Sequence, residues 1–276
     1  MTAPRPVLLY AFGAAVYGFL YLPIGVLILY SFNGSGVGGF PPHNLTWAWY
    51  EQLLHDVPMW SAVGNSALVA LASVCLSLLI GFPAAYALDR FRFPGKSIFR
   101  RLILLPLIVP GIVTGISLLL VVVGGGIHLS LVTVILGHAT ALISVATTEL
   151  AAGLQRLDTS IEEASADLGA SGWQTFCRIT LPLMKTSLAG TALLVFTLSM
   201  DEIAVTFFLI GRQNTLPLEI WSRLRRGVTP EMNAISTLIF LFSFFTILLW
   251  QRFTRPNSAH SHPVAVPQAL PEEALQ

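Results

Sequence analysis

The chain is 276 residues long, 54% hydrophobic and only 11% charged, with a formal net charge of +1. Soluble domains carry roughly 25% charged residues, so this composition cannot cover a water-facing surface. The near-neutral balance argues against nucleic-acid binding, and the two cysteines, Cys75 and Cys177, make neither a disulfide framework nor a zinc-ligand spacing.

Apolar stretches of bilayer length recur along the chain. A hydrocarbon core takes about 20 residues of helix, and lipid leaves no partner for unpaired backbone, which favours helices over strands. The short alternating segments of a membrane barrel are not seen. The expected fold is all-α and polytopic, with six transmembrane helices near 7–31, 61–88, 98–123, 128–149, 186–210 and 233–252. The first, "VLLYAFGAAVYGFLYLPIGVLILYSF", is too long for a signal-peptide core and reads as a retained span. Pro23, Pro83, Pro106 and Pro110 fall inside these segments, where neighbouring helices can satisfy the freed backbone. "VGGG" at 123–126 marks a tight turn between the third and fourth spans.

Lysine and arginine set the orientation. With the N-terminus inside, the inner segments hold Arg5; Arg90, Arg92, Lys96, Arg100 and Arg101; Arg156, Arg178 and Lys185; and Arg252 and Arg255. The outer loop 32–60 has none, and only Arg212, Arg223, Arg225 and Arg226 lie outside, all between the last two spans. Both termini are therefore expected in the cytoplasm. Within the basic outer loop, "LPLEIWSRLRR" suits a short amphipathic helix at the interface, and Thr229-Pro230 suits the start of the last span. "NLTWAWYEQLL" in the first outer loop suits an interfacial helix or a contact surface for an external protein. Residues 1–255 form the expected membrane domain. The tail 256–276, rich in Pro, Ala and Ser, is expected to be disordered, with "HSH" at 260–262 solvated rather than metal-bound.

The loop 150–185 interrupts this apolar pattern with "EEASADLGASGWQTFCRITLPLMK". Ser160 with Glu163 has the spacing of a capping box, and Asp158, Glu162 and Glu163 suit the positive end of a helix. That helix is expected to stop at Gly169, which can take a left-handed cap. Ser171 and Gln174 offer a second capping box, opening a helix that carries Phe176, Ile179 and Leu181 before Pro182. The product is a two-helix elbow at the inner face.

Glu163-Ala164-Ser165, Gly169, Ile179 and Leu181-Pro182 match the spacing E-A-A-x3-G-x9-I-x-L-P, with Ser165 replacing the second alanine. The segment resembles the "EAA" loop of type I ABC-importer permeases. "YLPIGVLILYSFNGS", "RFRFPGK", "FTLSMDEIAVTFFLIG" and "LPLEIWSRLRRGVTPEMNA" extend the resemblance to the spermidine/putrescine permease class over nearly the whole chain. The resemblance implies a bacterial inner-membrane permease subunit, forming half of a translocation pathway for a small organic solute such as a polyamine. It implies a second, different permease subunit, two copies of a cytoplasmic ATPase that hold ATP and Mg, and an extracytoplasmic solute-binding protein. The loop would be the coupling helix that docks on the ATPase, with Glu162, Glu163, Ala164, Ser165, Asp167, Gly169, Ile179, Leu181 and Pro182 as its coupling residues.

Asp201 and Glu202 fall within the fifth expected span. An ionised acid at mid-membrane costs roughly 2.5–3.5 kcal/mol on insertion scales, so such residues face a cavity or a partner. They are candidates for an anionic lining of the solute pathway, Asp201 foremost, or for pairing with the second subunit or an outer arginine. Polyamine permeases often carry an acid after the third-span proline. Here Gly111 follows Pro110, which keeps a monocationic or zwitterionic amine, or another small organic solute, in play as substrate. A lone membrane histidine such as His138 suits helix–helix hydrogen bonding better than ligand contact. Gly95-Lys96-Ser97 is not a phosphate loop, because Arg90 stands where the first glycine is required. No catalytic, cofactor or metal site is expected in this chain. An ion-driven transporter finds no internal repeat or ion site in its favour, and an intramembrane enzyme finds no catalytic motif.

Overall fold

The computed structural model describes residues 7–34, 41–227 and 229–254. Arg5, Arg255 and the 256–276 tail with its "HSH" lie outside them. Regular structure among the described residues is helical throughout: α1 (Val7–Tyr30), α2 (Ala48–Leu54), α3 (Val57–Arg90), α4 (Lys96–Ile108), α5 (Gly111–Gly124), α6 (Leu131–Leu154), α7 (Thr159–Asp167), α8 (Gly172–Thr175), a π-helical turn (Phe176–Thr180), α9 (Leu181–Leu183), α10 (Lys185–Met200), α11 (Ala204–Leu209), α12 (Leu216–Leu224) and α13 (Pro230–Thr254). Among these residues α1, α3 and α6 are each long and apolar enough to cross a membrane. Two bent pairs pass the same test together: α4 with α5, and the Gly172–Leu183 stretch with α10.

The core is built on α3 and α6. At 34 residues, α3 is about 51 Å long at 1.5 Å per residue. Asp56 starts it, its Oδ1 accepting the Met59 N–H at 3.0 Å. It ends at Arg90 because Phe91 turns extended ahead of "RFP". One face carries the buried small residues Ser66, Ala70, Ser73, Ser77, Gly81 and Ala85, spaced three or four apart. Small residues let helix backbones approach where lipid supplies no hydrophobic drive between helices. A Cβ on Gly81 would lie 2.9 Å from the Ala146 Cβ and 3.2 Å from the Thr147 nitrogen on α6. Gly81→Val is therefore expected to overpack the α3–α6 seam and destabilise the protein by about 2 kcal/mol. A melt of the detergent-solubilised protein would read this as a lowered Tm, and an unchanged melt would contradict such tight packing.

Two expected spans turn out to be interrupted. The third is broken at Val109-Pro110 into α4 and α5, which meet at 107°. Pro23, Pro83 and Pro106 are accommodated inside helices. Pro110 is not, because it lacks an N–H and drives the β-branched Val109 into an extended conformation (φ −76°, ψ 127°). The fifth is broken without proline at Asp201–Ile203, between α10 and α11. Side chains cap that break: the Glu202 Oε1 accepts the Val205 N–H at 2.9 Å, and the Thr206 Oγ1 donates to the Glu202 carbonyl at 2.8 Å. Both breaks fall beside α6.

The basic loop forms the expected short helix. α12 is packed into the protein, with Leu216, Leu218 and Glu219 buried. Its first turn is pinned to α3, since the Leu216 N–H donates to the Ser66 Oγ at 2.8 Å and the Asn65 Nδ2 donates to the Asn214 carbonyl at 2.9 Å.

Candidate functional site

At the Arg90 end of α3, α7 and the stretch after it form an elbow. The Asp158 side chain caps α7 by accepting the Ser160 N–H at 2.9 Å. The expected Ser160–Glu163 box is thus replaced by a cap two residues earlier; the aspartate oxygen reaches the free N–H directly. Those hydrogen bonds from Ser160 hold the Asp158 carboxyl below its ordinary range. α7 stops as anticipated at Gly169, whose φ is +83°. The Ala170 N–H donates to the Ser165 carbonyl at 3.1 Å and the Gly169 N–H to the Ala166 carbonyl at 2.9 Å, closing a Schellman cap. The Ser171–Gln174 capping box is present in both directions, at 2.8 and 3.3 Å.

The second arm departs from expectation, because the helical stretch runs through Pro182 to Leu183. Proline leaves the carbonyl four residues back without its donor. The chain answers with a π turn, in which the Leu181 N–H reaches the Phe176 carbonyl. The stretch then bends by 66° into α10.

The elbow separates its residues into two sets. Glu162 faces inward, receiving the Arg90 Nε at 2.8 Å and the Thr180 Oγ1 at 2.7 Å. It is thus already paired within the chain. Ser165, the departure from the motif, is buried with its Oγ 3.0 Å from the Thr175 Oγ1. Its hydroxyl therefore ties the two arms together. Ile179 is half-buried. Glu163, Ala164, Asp167, Gly169, Leu181 and Pro182 are exposed. Leu168, 89% exposed, Trp173, 73% exposed, and Ile161 on α7 are exposed on the same elbow. Trp173 stacks on Phe176, which packs in turn on Phe82 and Tyr86 of α3. The elbow thus offers small, apolar and acidic groups outward on a base bolted to α3.

Asp201 and Glu202 open onto different spaces. Asp201 is exposed on the wall of an apolar groove of about 830 Å³, among Trp60, Phe196, Trp221 and Phe242. Such a groove holds an alkyl chain, and a carboxylate with aromatic faces holds a cation at its end. Glu202 lines a smaller cavity of about 200 Å³ that also touches Val109, Gly111 and His138. A Cβ on Gly111 would lie 3.6 Å from the Glu202 Oε1. Gly111, the position at which an acid is looked for after the third-span proline, therefore already has a carboxylate beside it, carried by the other broken helix. His138 is 1% exposed and hydrogen-bonded through both ring nitrogens, to Ser199 and Thr206.

At the opposite end of α3, the Arg223 guanidinium binds both oxygens of Asp56, with the Nη2 to Oδ1 distance at 3.0 Å, and donates its Nε to the Glu219 Oε1 at 2.7 Å. The Asn214 Nδ2 donates to the second Glu219 oxygen at 2.7 Å. The Arg223 hydrogen bond holds the Asp56 carboxyl below its usual range. Burial acts to raise the Glu219 carboxyl, but the hydrogen bonds from Arg223 and Asn214 bring it down on balance. Arg212, Arg225 and Arg226 remain exposed. Arg90 and Arg223 were not foreseen as site residues. Arg90 pairs locally with Asp89 and Arg223 with Glu219, but the partners that tie them to other elements, Glu162 and Asp56, lie 72 and 167 positions away, where no local pattern reaches.

The family described as binding-protein-dependent transport system inner membrane component matches residues 77–256. The putrescine transport system permease protein PotI of Escherichia coli (strain K12) is 38% identical over 236 residues, covering 81% of this chain and 82% of that protein. The spermidine/putrescine transport system permease protein PotC of Haemophilus influenzae is 34% identical over 249 residues, covering 90% and 96%. Among solved structures, a bacterial ABC transporter involved in import of the acidic polysaccharide alginate superposes with a TM-score of 0.70 at 19% identity, over 92% of this chain and 100% of that one. At that identity the likeness concerns the fold alone. Family model and relatives together show that the chain belongs to the binding-protein-dependent transport inner-membrane component family, as a permease subunit whose ATPase is a separate protein.

Proposed function

We propose that this permease forms half of the import pathway for a linear aliphatic amine of the putrescine and spermidine class. Asp201 on its aromatic, apolar groove is the observation that carries the substrate reading. A carboxylate at the wall binds an ammonium, and the groove takes methylenes that water would otherwise surround. The relatives' substrates support the choice. Glu202, lining a separate cavity beside Gly111, places a second carboxylate at the same break.

In this reading α13 is the sixth span, both termini are cytoplasmic, and the elbow is the EAA coupling loop. Its exposed face of Glu163, Ala164, Asp167, Leu168 and Trp173 seats on the ATPase, while Ser165 and Gly169 shape it. Glu162 fixes its base to Arg90, and Ile179, Leu181 and Pro182 carry the movement into α10. The assembly is a heterodimer with a second permease, two ATPase copies binding ATP and Mg, and an external solute-binding protein.

The test is ATP-dependent uptake of labelled putrescine and spermidine by the assembled transporter in proteoliposomes. Asp201→Asn is expected to reduce uptake about tenfold, the loss of roughly 1.4 kcal/mol of charge-assisted binding. Uptake unaffected by Asp201→Asn would remove the groove from the pathway. Uptake that an ionophore collapses while ATP is maintained would overturn the ATP-driven reading.

A further inference from the structure

The break between α10 and α11 bears both acids, yet no proline or glycine at 201–203 makes it. α11 is six residues long, too short to hold itself as a helix, so its position comes from what it packs against. That support is α5 and α6. A Cβ on Gly137 would fall 2.3 Å from the Leu209 Cδ1 and 2.9 Å from the Val205 Cγ1, which shows how closely α11 rests on α6. The Thr133 Oγ1 lies 2.8 Å from the Leu209 carbonyl.

His138 does something different, because it reaches both sides of the break. Its Nδ1 is 2.8 Å from the Ser199 Oγ, in the last turn of α10, and its Nε2 is 2.8 Å from the Thr206 Oγ1, in α11. The Thr206 Oγ1 also lies 2.8 Å from the Glu202 carbonyl. A continuous hydrogen-bonded chain therefore runs from Ser199 through His138 and Thr206 to the backbone of Glu202. It closes wholly inside the protein, among groups that are buried apart from the Glu202 backbone at its end.

We infer that His138 is a positioning residue of the translocation path: by clasping α10 and α11 to α6 across the break, it fixes where Asp201 and Glu202 stand, and so sets the efficiency with which each ATP-driven cycle carries an amine across. The inference rests on the proposed function, since it needs the two acids to line the path. His138 itself touches no solute in this account. It acts through the backbone of Glu202 and the end of α10.

The experiment uses the assembled transporter with its partner subunits and binding protein in proteoliposomes, with putrescine as the probe, and measures putrescine imported per ATP hydrolysed. Thr206→Val keeps the shape and removes the hydroxyl, Ser199→Ala removes the other link, and Thr206→Ser keeps the link. Thr206→Val and Ser199→Ala are each expected to lower the ratio roughly 5-fold, the loss of one buried hydrogen bond. Thr206→Ser is expected to stay near wild type. The double variant is expected to fall short of the product of the singles, because both break one chain. The inference is overturned if the wild-type complex imports putrescine and the variants keep its ratio. It is likewise overturned if Thr206→Ser is as impaired as Thr206→Val, or if uptake and ATPase activity fall together with the amount of complex. A wild-type complex that hydrolyses ATP but imports no amine overturns the proposed function first, and this inference with it.

Discussion

Replacing Gly169 with valine is expected to lower solute-stimulated ATP hydrolysis and uptake about tenfold, whereas asparagine at the same position leaves both near wild type. The cause is backbone conformation alone. Gly169 sits at φ +83° with nothing within 4 Å of where a Cβ would be, so neither substitution meets a steric clash with its surroundings. A β-branched residue in the left-handed region costs roughly 1–2 kcal/mol, while asparagine visits it readily. Valine would therefore open the Schellman cap, in which the Ala170 N–H is held by the Ser165 carbonyl. That would change the angle between the two arms and so the face offered to the ATPase. Equal behaviour of the two variants would show that the cap is not what shapes the docking face. Co-purification of the ATPase with each variant separates lost docking from lost transmission.

The elbow was legible because its signals are local. Asp158, Gly169, Ser171 and Gln174 act on backbone within a few positions of themselves, so capping chemistry fixes the two arms and the turn between them. What stayed hidden depends on partners far along the chain. That Glu162 pairs with Arg90 depends on α3 lying beside α7. The break at Asp201–Ile203 has no glycine or proline to announce it, since side chains from α6 and from the break itself supply what holds it. Pro110 did carry a signal, and its company decided the outcome: a β-branched residue before a proline turns extended, whereas Pro83 and Pro106 sit where the helix can absorb the lost bond. The small-residue face of α3 likewise has meaning only once α6 lies against it. One long helix thus joins the two ends of the molecule, with Glu162 held at its Arg90 end and Arg223 at its Asp56 end.

Arg223→Ala is expected to loosen the Asp56 end and lower stability by about 2 kcal/mol, less than for a fully buried pair because the side chains retain some exposure. The substitution leaves Asp56 and Glu219 without their common cation, and α12 then rests on α3 through Ser66, Asn65 and the apolar cluster that Leu216 and Ile220 share with Met59 and Val63. Arg226 and Glu231 line the same recess, and exposed Arg226 acts on Glu219 only through its charge, with no hydrogen bond to it. Arg223→Lys is expected to recover only part of the loss, since an ammonium cannot bind both Asp56 oxygens while also serving Glu219 in that planar geometry. The pH dependence gives an independent check. Asp56 and Glu219 both titrate below their ordinary values in the folded protein. Their contribution is therefore complete above the unfolded carboxyl values near about 4 and disappears as pH falls through the lower folded ones. Melts of the purified protein should show the wild type about 5 °C above the variant at pH 7, with the gap closing below about pH 4. A gap independent of pH would mean that packing of the arginine stem, and not its charge, holds α12. Because α12 supplies Leu216, Ile220 and Trp221 to the groove that holds Asp201, the same variant is expected to weaken amine uptake even where the complex assembles. The Arg223→Ala, Asp56→Asn double variant should do little further harm, since the ion pair is already gone.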